Sequence, residues 1–453
     1  MIFFPVGALS QEISIRPIAF GMYRSTGDWW QPEKSPVLYL GGGIRGEFEW
    51  NDWAIRSEFV NTRYYGLTEI PNRFSPEQGL SWQQHATGKA DEFDTDYTTM
   101  YVSYQRGSLL LEAGKYGLNW GPARESAILS AKPPPVPRFG FMWQVMPWLR
   151  FSYTHGQLHS GLVDSLRSAT SPSLFRSRVI IRNRYHVAHR LEITLPWGLT
   201  VGGTEAIVYG DRGLELIYTM PFIAFWSAQH FLGDLDNTLL SLDLTWLHPS
   251  GLSLFGVFLM DEWMPQLTFN TPNRNWFGWQ YGLRKKSLLV NNDLLLMEGI
   301  WTDHRIYRHR FPVNDYYSHN YPVGHWIGPH AQALMAIYQL PMGNGIGQVR
   351  ALRAKRGELT DQMINDQYLT LGYDRYSGET EQITSFRFSV FWPVWEQTWI
   401  EVGVSNIDWI NAGFKPNDPG KSTAGNISKW SFQLGFYSHF GFSGYDISLL
   451  QDN

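Results

Sequence analysis

The chain has 453 residues and a formal net charge of −4, with 43% hydrophobic, 16% aromatic and only 17% charged residues. So aromatic and weakly charged a mixture excludes a disordered chain, and the mild negative charge removes the footprint of a nucleic-acid-binding protein. Without a single cysteine, thiolate catalysis, disulfides and Cys-ligated metals are excluded, while a mean hydropathy of −0.27 and no apolar run of about 18 residues exclude a polytopic helical membrane protein.

Along the chain, Ile2 to Ala8 is apolar, and Ala8-Leu9-Ser10 before Gln11 has the small-x-small form of a signal-peptidase site. Residues 1–10 therefore read as a signal-peptide remnant and 11–453 as a single domain; the competing reading is an ordinary apolar first strand. Beyond them the dominant pattern is period two. Leu191, Ile193 and Leu195 alternate with Arg190, Glu192 and Thr194, and Leu240, Leu242, Leu244 and Trp246 with Ser241, Asp243 and Thr245. Phe386, Phe388 and Val390 alternate with Ser385, Arg387 and Ser389, and Trp430, Phe432, Leu434 and Phe436 with Ser431, Gln433 and Gly435. Such strands suit either a soluble sandwich or a barrel whose apolar side meets lipid.

Connection lengths separate the two. Tight turns fall at Asn51-Asp52, Arg106-Gly107, Met146-Pro147, Pro196-Trp197-Gly198, Pro249-Ser250-Gly251, Pro341 to Gly345 and Pro393-Val394. Between them lie long connections at 65–96, 117–138, 158–175, 210–236, 261–274, 304–330, 358–380 and 407–427. Alternation of short and long is what a transmembrane antiparallel up-and-down β-barrel requires. The pattern predicts about 18 strands of about 9–13 residues, with long loops extracellular and both termini periplasmic. Trp50, Trp53, Trp148, Trp197, Trp246 and Trp395 lie at or beside the short turns, where an interfacial girdle needs amphipathic rings. The last predicted strand, Ser428 to Phe440, ends in an aromatic and is followed by a short tail.

Two long connections carry distinctive motifs: Gly114 to Arg124, containing Asn119-Trp120-Gly121-Pro122, and Tyr316 to Pro329, containing Tyr317-Ser318-His319 and Pro322-Val323-Gly324-His325. Their Gly and Pro residues predict ordered loops. With Asp236-Asn237 opening a strand and Leu252 to Met260 ending in Asp261-Glu262, these motifs run in order over residues 97–340. In this the chain resembles the Wzi-like capsule assembly family of outer-membrane proteins. The resemblance implies an 18-stranded barrel whose loops fold over or into the lumen. It also implies a non-catalytic lectin that holds capsular polysaccharide at the surface of a Gram-negative-type bacterium. Two departures limit it. Asn119 stands where relatives often show a second Trp, and strand-like sequence begins near Ile13, so the role of the helical segment preceding the enterobacterial barrels is not carried over.

Arg176, Arg178, Arg182 and Arg184 share one parity, with Val179, Ile181, Tyr185 and Val187 on the other. This predicts a lumen-facing arginine ladder whose guanidinium forks suit the carboxylates of uronic-acid sugars. The competing reading is a brace, with the arginines paired to lumen carboxylates such as Asp243 and Glu192. The predicted contact surface adds outer-loop residues Trp120, Arg124, Tyr317, His319 and His325. His304, His309, His319, His325 and His330 form only a weak metal pattern, better read as loop packing, and Asp261-Glu262 point to opposite faces of a strand, unsuited to paired-carboxylate hydrolysis. No catalysis, cofactor or metal is expected. The expected partners are an acidic surface polysaccharide, outer-membrane lipid and the barrel-insertion machinery, with a monomeric chain. The alternative function is a porin or carbohydrate-uptake channel.

Overall fold

The computed structural model describes residues 11–28, 31, 33–67, 74–85, 88–171, 176–262, 275–369, 374–417 and 425–439; the signal-peptide reading of 1–10 and the terminal Phe440 fall outside them. Eighteen strands carry the fold. In order they are β1 (Gln11–Arg24), β2 (Val37–Trp50), β3 (Trp53–Tyr65), β4 (Glu92–Arg106), β5 (Leu109–Tyr116) and β6 (Val136–Met146). β7 (Leu149–Val163), β8 (Ile181–Leu195), β9 (Leu199–Gly210), β10 (Asn237–His248), β11 (Leu252–Glu262) and β12 (Trp276–Lys286) follow. β13 (Leu294–Thr302), β14 (Ala331–Met342), β15 (Gly345–Gly357), β16 (Thr380–Trp395), β17 (Thr398–Ala412) and β18 (Gly425–Ser438) complete the series. Each pairs antiparallel with the next, and β1 returns to β18 from Ala19↔Ser438 to Arg24↔Gln433, closing a barrel. Closing a sheet on itself lets its first and last strands satisfy one another, which a sheet whose outer side meets hydrocarbon needs; among the described residues that seam is six residue pairs long.

The alternation seen in the sequence becomes an apolar outer belt. Ile13, Leu40, Phe59, Met100, Leu111, Leu191, Leu242, Leu244, Phe386, Phe388, Val402, Trp430 and Phe432 are all exposed on that face. Trp50, Trp53, Trp148, Trp197, Trp246 and Trp395 are exposed beside the short turns, as a girdle requires. Leaving so much contiguous apolar surface in water would be very costly; in a bilayer it is the solvated face.

Short and long connections alternate throughout. The first residue of β1 pairs with Trp50, and the last of β18 with Thr398, so both strand termini lie at the short-turn end. The structure adds a long connection at 25–36 and a short one at 287–293, and it moves one turn. Pro393-Val394 lies inside β16, where the register shifts between Pro393 and Trp395, and the chain reverses at Glu396-Gln397. A proline without an N–H is accommodated at such an irregularity rather than ending the strand. Strands run from 8 residues in β5 to 16 in β16, a wider range than the sequence predicts.

The interior has two regions. One is polar and charge-paired: the two terminal nitrogens of Arg190 bind Asp243 (2.6 and 2.9 Å), and Asp28, from the long connection 25–36, pairs with Arg24 at the end of β1 (2.7 Å) and with Arg387 of β16. The other, toward the long loops, is an apolar core, in which Ala188, Val208, Leu239, Ile300 and Ile337 of the wall meet Ile128, Leu129, Tyr307, Tyr316, Val323 and Trp326 of the loops.

One long connection does not fold over or into the lumen. Residues 211–236, with helix α1 (Phe225–Phe231), lie on the outer wall of β7–β9. Tyr218, Phe225 and Ala228 pack there on Tyr153, Val187, Ile207 and Tyr209. The wall beneath is polar for a lipid-facing surface, and this strap satisfies it. His189 bonds Glu205 and the Pro221 carbonyl (both 2.9 Å), Glu205 accepts from the N–H groups of Phe225 (2.9 Å) and Trp226 (2.5 Å), and Tyr153 donates to Tyr218 O (2.9 Å). Polar groups left facing hydrocarbon would each cost several kcal/mol; covered, they hold the strap in place.

Candidate functional site

Connections 117–135 and 303–330 form a plug at the loop end of the lumen. Ser130 donates its N–H to Val323 O (2.8 Å) and its hydroxyl to Gly324 O (2.6 Å). Tyr316 donates to Ile128 O (2.6 Å) and Tyr307 to Ala127 O. Gly324 permits this contact, because a Cβ there would collide with the Ala127 carbonyl and the Tyr307 hydroxyl. Gly121 has φ +109°, a conformation open chiefly to glycine, and turns the chain at the plug tip. Asn119 closes that turn by accepting from Ser126 N (2.9 Å) and donating to Ala123 O (3.1 Å). The tip reaches the middle of the barrel wall, where Arg124 N donates to Glu298 (2.8 Å), Ala127 N to Gln280 (3.1 Å) and Gln280 to Glu125 O (2.8 Å).

Trp120, Arg124 and His325 are therefore parts of the plug and not of an outer contact surface. The Trp120 backbone is bonded to Leu129 and its half-buried ring packs on the core. His325 is buried, its Nδ1 accepting from Ile327 N (3.3 Å). Burial, reinforced by Arg124 and Lys132, pushes its imidazole down to about 3. Lys132 donates to Ser75 O (2.6 Å) and Glu77 O, and burial pushes its ammonium down to about 8. Asp261 accepts from Tyr307 N (2.7 Å), a structural use; the Glu262 side chain lies outside the described residues. Among the described residues no group of three or more His, Asp or Glu could hold a metal ion.

The predicted arginine ladder does not form. Arg176–Arg178 pairs with Ala169–Ser171 in a separate small hairpin, which breaks the parity counted along the sequence. Arg178 is exposed there, and the Arg176 side chain lies outside the described residues. Arg184 is buried under the rim, donating to the carbonyls of Val313 (2.6 Å), Tyr317 (2.7 Å) and Pro312 (2.5 Å). The bracing role expected for these arginines falls to Arg190 with Asp243, and to Arg150 with Glu192 (3.5 Å).

A smaller group does assemble at the loop-end rim above β7 and β8. Arg182 pairs with Asp211 (3.1 Å), each 45% exposed. His319 stacks on His159 (centroids 4.4 Å apart, planes at 16°) and donates its N–H to His159 O (2.9 Å). Burial, with His159 adding, pushes the His319 imidazole down to about 4, so a neutral ring face is offered. Half-buried Tyr317 adjoins it, and exposed Phe311 carries the Arg310 guanidinium 5.1 Å above its ring. Arg184 ties these pieces together from below. The rim thus combines ring faces with two guanidinium groups. The sequence singled out Arg182, Tyr317 and His319, but it missed His159, which lies on β7 and meets His319 only through the fold, and Arg310 and Phe311, which precede the Tyr317–His319 motif on the same connection without a pattern to mark them.

No protein-family model and no curated protein matches the chain. Solved structures do. A carbohydrate-binding β-barrel of Escherichia coli, the outer-membrane protein Wzi involved in group 1 capsule assembly, aligns with a TM-score of 0.57 at 13% identity, covering 94% of this chain and 85% of that one. OpdK of Pseudomonas aeruginosa, solved with vanillate, aligns at 0.49 and 8% identity over 94% and 98% of the two chains. OccAB4 of Acinetobacter baumannii aligns at 0.47 and 10% over 96% and 99%. At these identities the likeness is one of fold.

Proposed function

We propose that this chain is a non-enzymatic outer-membrane protein, oriented with its long connections outside, that binds an acidic surface polysaccharide and promotes capsule attachment. The observation that carries the reading is the plug. A wall of 18 strands is wide enough for an aqueous channel, yet here the loop half of the lumen is filled by an apolar core and the loops are bonded to one another. Such an interior serves a surface better than a conduit, and the Wzi likeness supports the same choice. The Arg182–Asp211 pair is exposed, and an exposed pair contributes at most about 1 kcal/mol. A sugar carboxylate therefore replaces Asp211 on the guanidinium at little cost. Ring faces at His319 and Phe311 supply apolar contact, and repetition along a polymer turns weak contacts into avidity. The chain acts as a monomer, reaching the membrane through the barrel-insertion machinery.

The test is a titration of purified protein in detergent with an acidic capsular polysaccharide and with a neutral glucan. Arg182→Ala combined with His319→Ala is expected to weaken binding of the acidic polymer about tenfold, the loss of one charge-assisted contact and one ring face. Equal affinity for both polymers, or unchanged affinity in the double variant, removes the rim from the site.

A further inference from the structure

The outer wall of β13–β17 carries a second candidate site, distinct from the rim. Pairing places residues there in level rows. Gln332, Lys355 and Gln382 form the row nearest the loops, followed by Leu334, Arg353, Thr384 and Asp408, and then by Met297, Ala336, Ala351, Phe386 and Asn406. The paired alanines Ala336 and Ala351 dent the wall between the larger Met297, Leu334 and Phe386, leaving a crevice of about 290 Å³ with Arg353 and Asn406 on its border. That volume is near the lower end of small-molecule sites, roughly 300–1,000 Å³.

Arg353 is the informative group. It is exposed on the face that carries the apolar belt, and among the described residues it has no hydrogen-bond or ion-pair partner. Lys355, in the next row of this wall, has its ammonium 4.3 Å from the Tyr376 ring centroid. Cations elsewhere are likewise held: Arg63 of β3 pairs with Asp94 (2.6 Å), and Arg375, from the connection after β15, donates to Thr302 O (2.8 Å) and Ala331 O (2.9 Å). A guanidinium facing lipid without a partner is costly, and a phosphate headgroup is the anion a bilayer offers to its fork.

We infer that this crevice is a specific site for a phosphate-headed membrane lipid, with the headgroup on Arg353 and an acyl chain over Ala336 and Ala351. The geometry has the correct polarity. Arg353 lies one row nearer the loops than the alanine pair, about 7 Å along the strand, so a chain leaving Arg353 toward the short turns runs into the dent and toward the bilayer centre. Asn406 on the border offers an amide to ester oxygens. The inference rests on the membrane placement in the reading above, but not on polysaccharide binding.

Native mass spectrometry of the full-length protein, released from micelles doped with phosphatidylglycerol or with an uncharged diacylglycerol, tests it. Wild type is expected to retain one phosphatidylglycerol in preference to diacylglycerol. Arg353→Ala should reduce that retention about tenfold, and Ala351→Trp, which fills the dent, should abolish the preference while leaving Arg353 in place. Equal retention by wild type and Arg353→Ala overturns the site while leaving the membrane placement intact. A chain that stays folded and dispersed without detergent overturns both. Polymer titration of Arg353→Ala should match wild type, which separates this site from the rim.

Discussion

Three carbonyl oxygens, those of Pro312, Val313 and Tyr317, converge on the buried Arg184 guanidinium, whereas Arg182, two residues earlier, holds only the exposed carboxylate of Asp211. The two arginines therefore predict opposite outcomes. Arg184→Ala leaves buried acceptors without their donor, at a cost of about 2–4 kcal/mol, and should accelerate amide hydrogen exchange across 311–320. Arg182→Ala should change stability by less than about 1 kcal/mol while weakening polymer binding, as a thermal melt and a titration together would show. The parity of these arginines was legible in the sequence, but their separation was not. It depends on the small hairpin at 169–178 and on which loop arrives above the strand. His325 gives a pH dependence of definite sign. Its folded pKa, about 3, lies below the free value near 6.5, so the unfolded chain takes up the proton first. Stability is full above about pH 6.5 and falls by about 1.4 kcal/mol per pH unit as pH drops toward 3. Protease nicking of 303–330 should rise between pH 6 and pH 4, and His325→Gln should flatten that rise.

The barrel strands were readable because one face meets lipid and the other a polar interior, which imposes period two on Leu240 to Trp246 and on Trp430 to Phe436. In β9 the alternation weakens. Ala206, Ile207, Val208 and Tyr209 are all buried, because the even residues meet the plug and the odd residues meet the strap. A continuous apolar run in a sheet marks burial on both faces, and here it was the available sign that something covers the outer wall. What covers it could not be read, since the strap's attachment depends on polar groups spread over β7, β8 and β9. Glu205 is the central one, capping the first N–H groups of α1 and bonding His189. Glu205→Ala should detach the strap while leaving the barrel closed. Proteolysis should then cut within 211–236, while the folded barrel keeps its heat-modifiable electrophoretic mobility. Uncut strap in that variant would mean that the apolar contacts of Tyr218 and Phe225 suffice to hold it.

At the scale of the whole molecule, barrel and plug are bonded to one another. The tip at Arg124 and Ala127 is bonded to Glu298 and Gln280 of the wall, and its far side to Val323 and Gly324 of the second loop. Opening a path would break these bonds and expose the apolar faces of Ile128, Leu129 and Trp326, which are buried now. Burying such side chains contributes about 1.5–3 kcal/mol each, so spontaneous opening is rare, and the intact chain should show no large steady conductance in planar bilayers. Replacing residues 119–128 by a short Gly-Ser link removes the tip but leaves the strands and their pairing untouched. That variant should conduct, because an 18-strand wall without its filling encloses a wide aqueous lumen. It should also lose polymer binding in part, since Tyr316 would no longer be anchored on Ile128 beneath the rim. A large conductance already present in the unmodified chain, with no increase on excision, would mean that ions pass beside the plug, and would return the molecule to the class of diffusion channels.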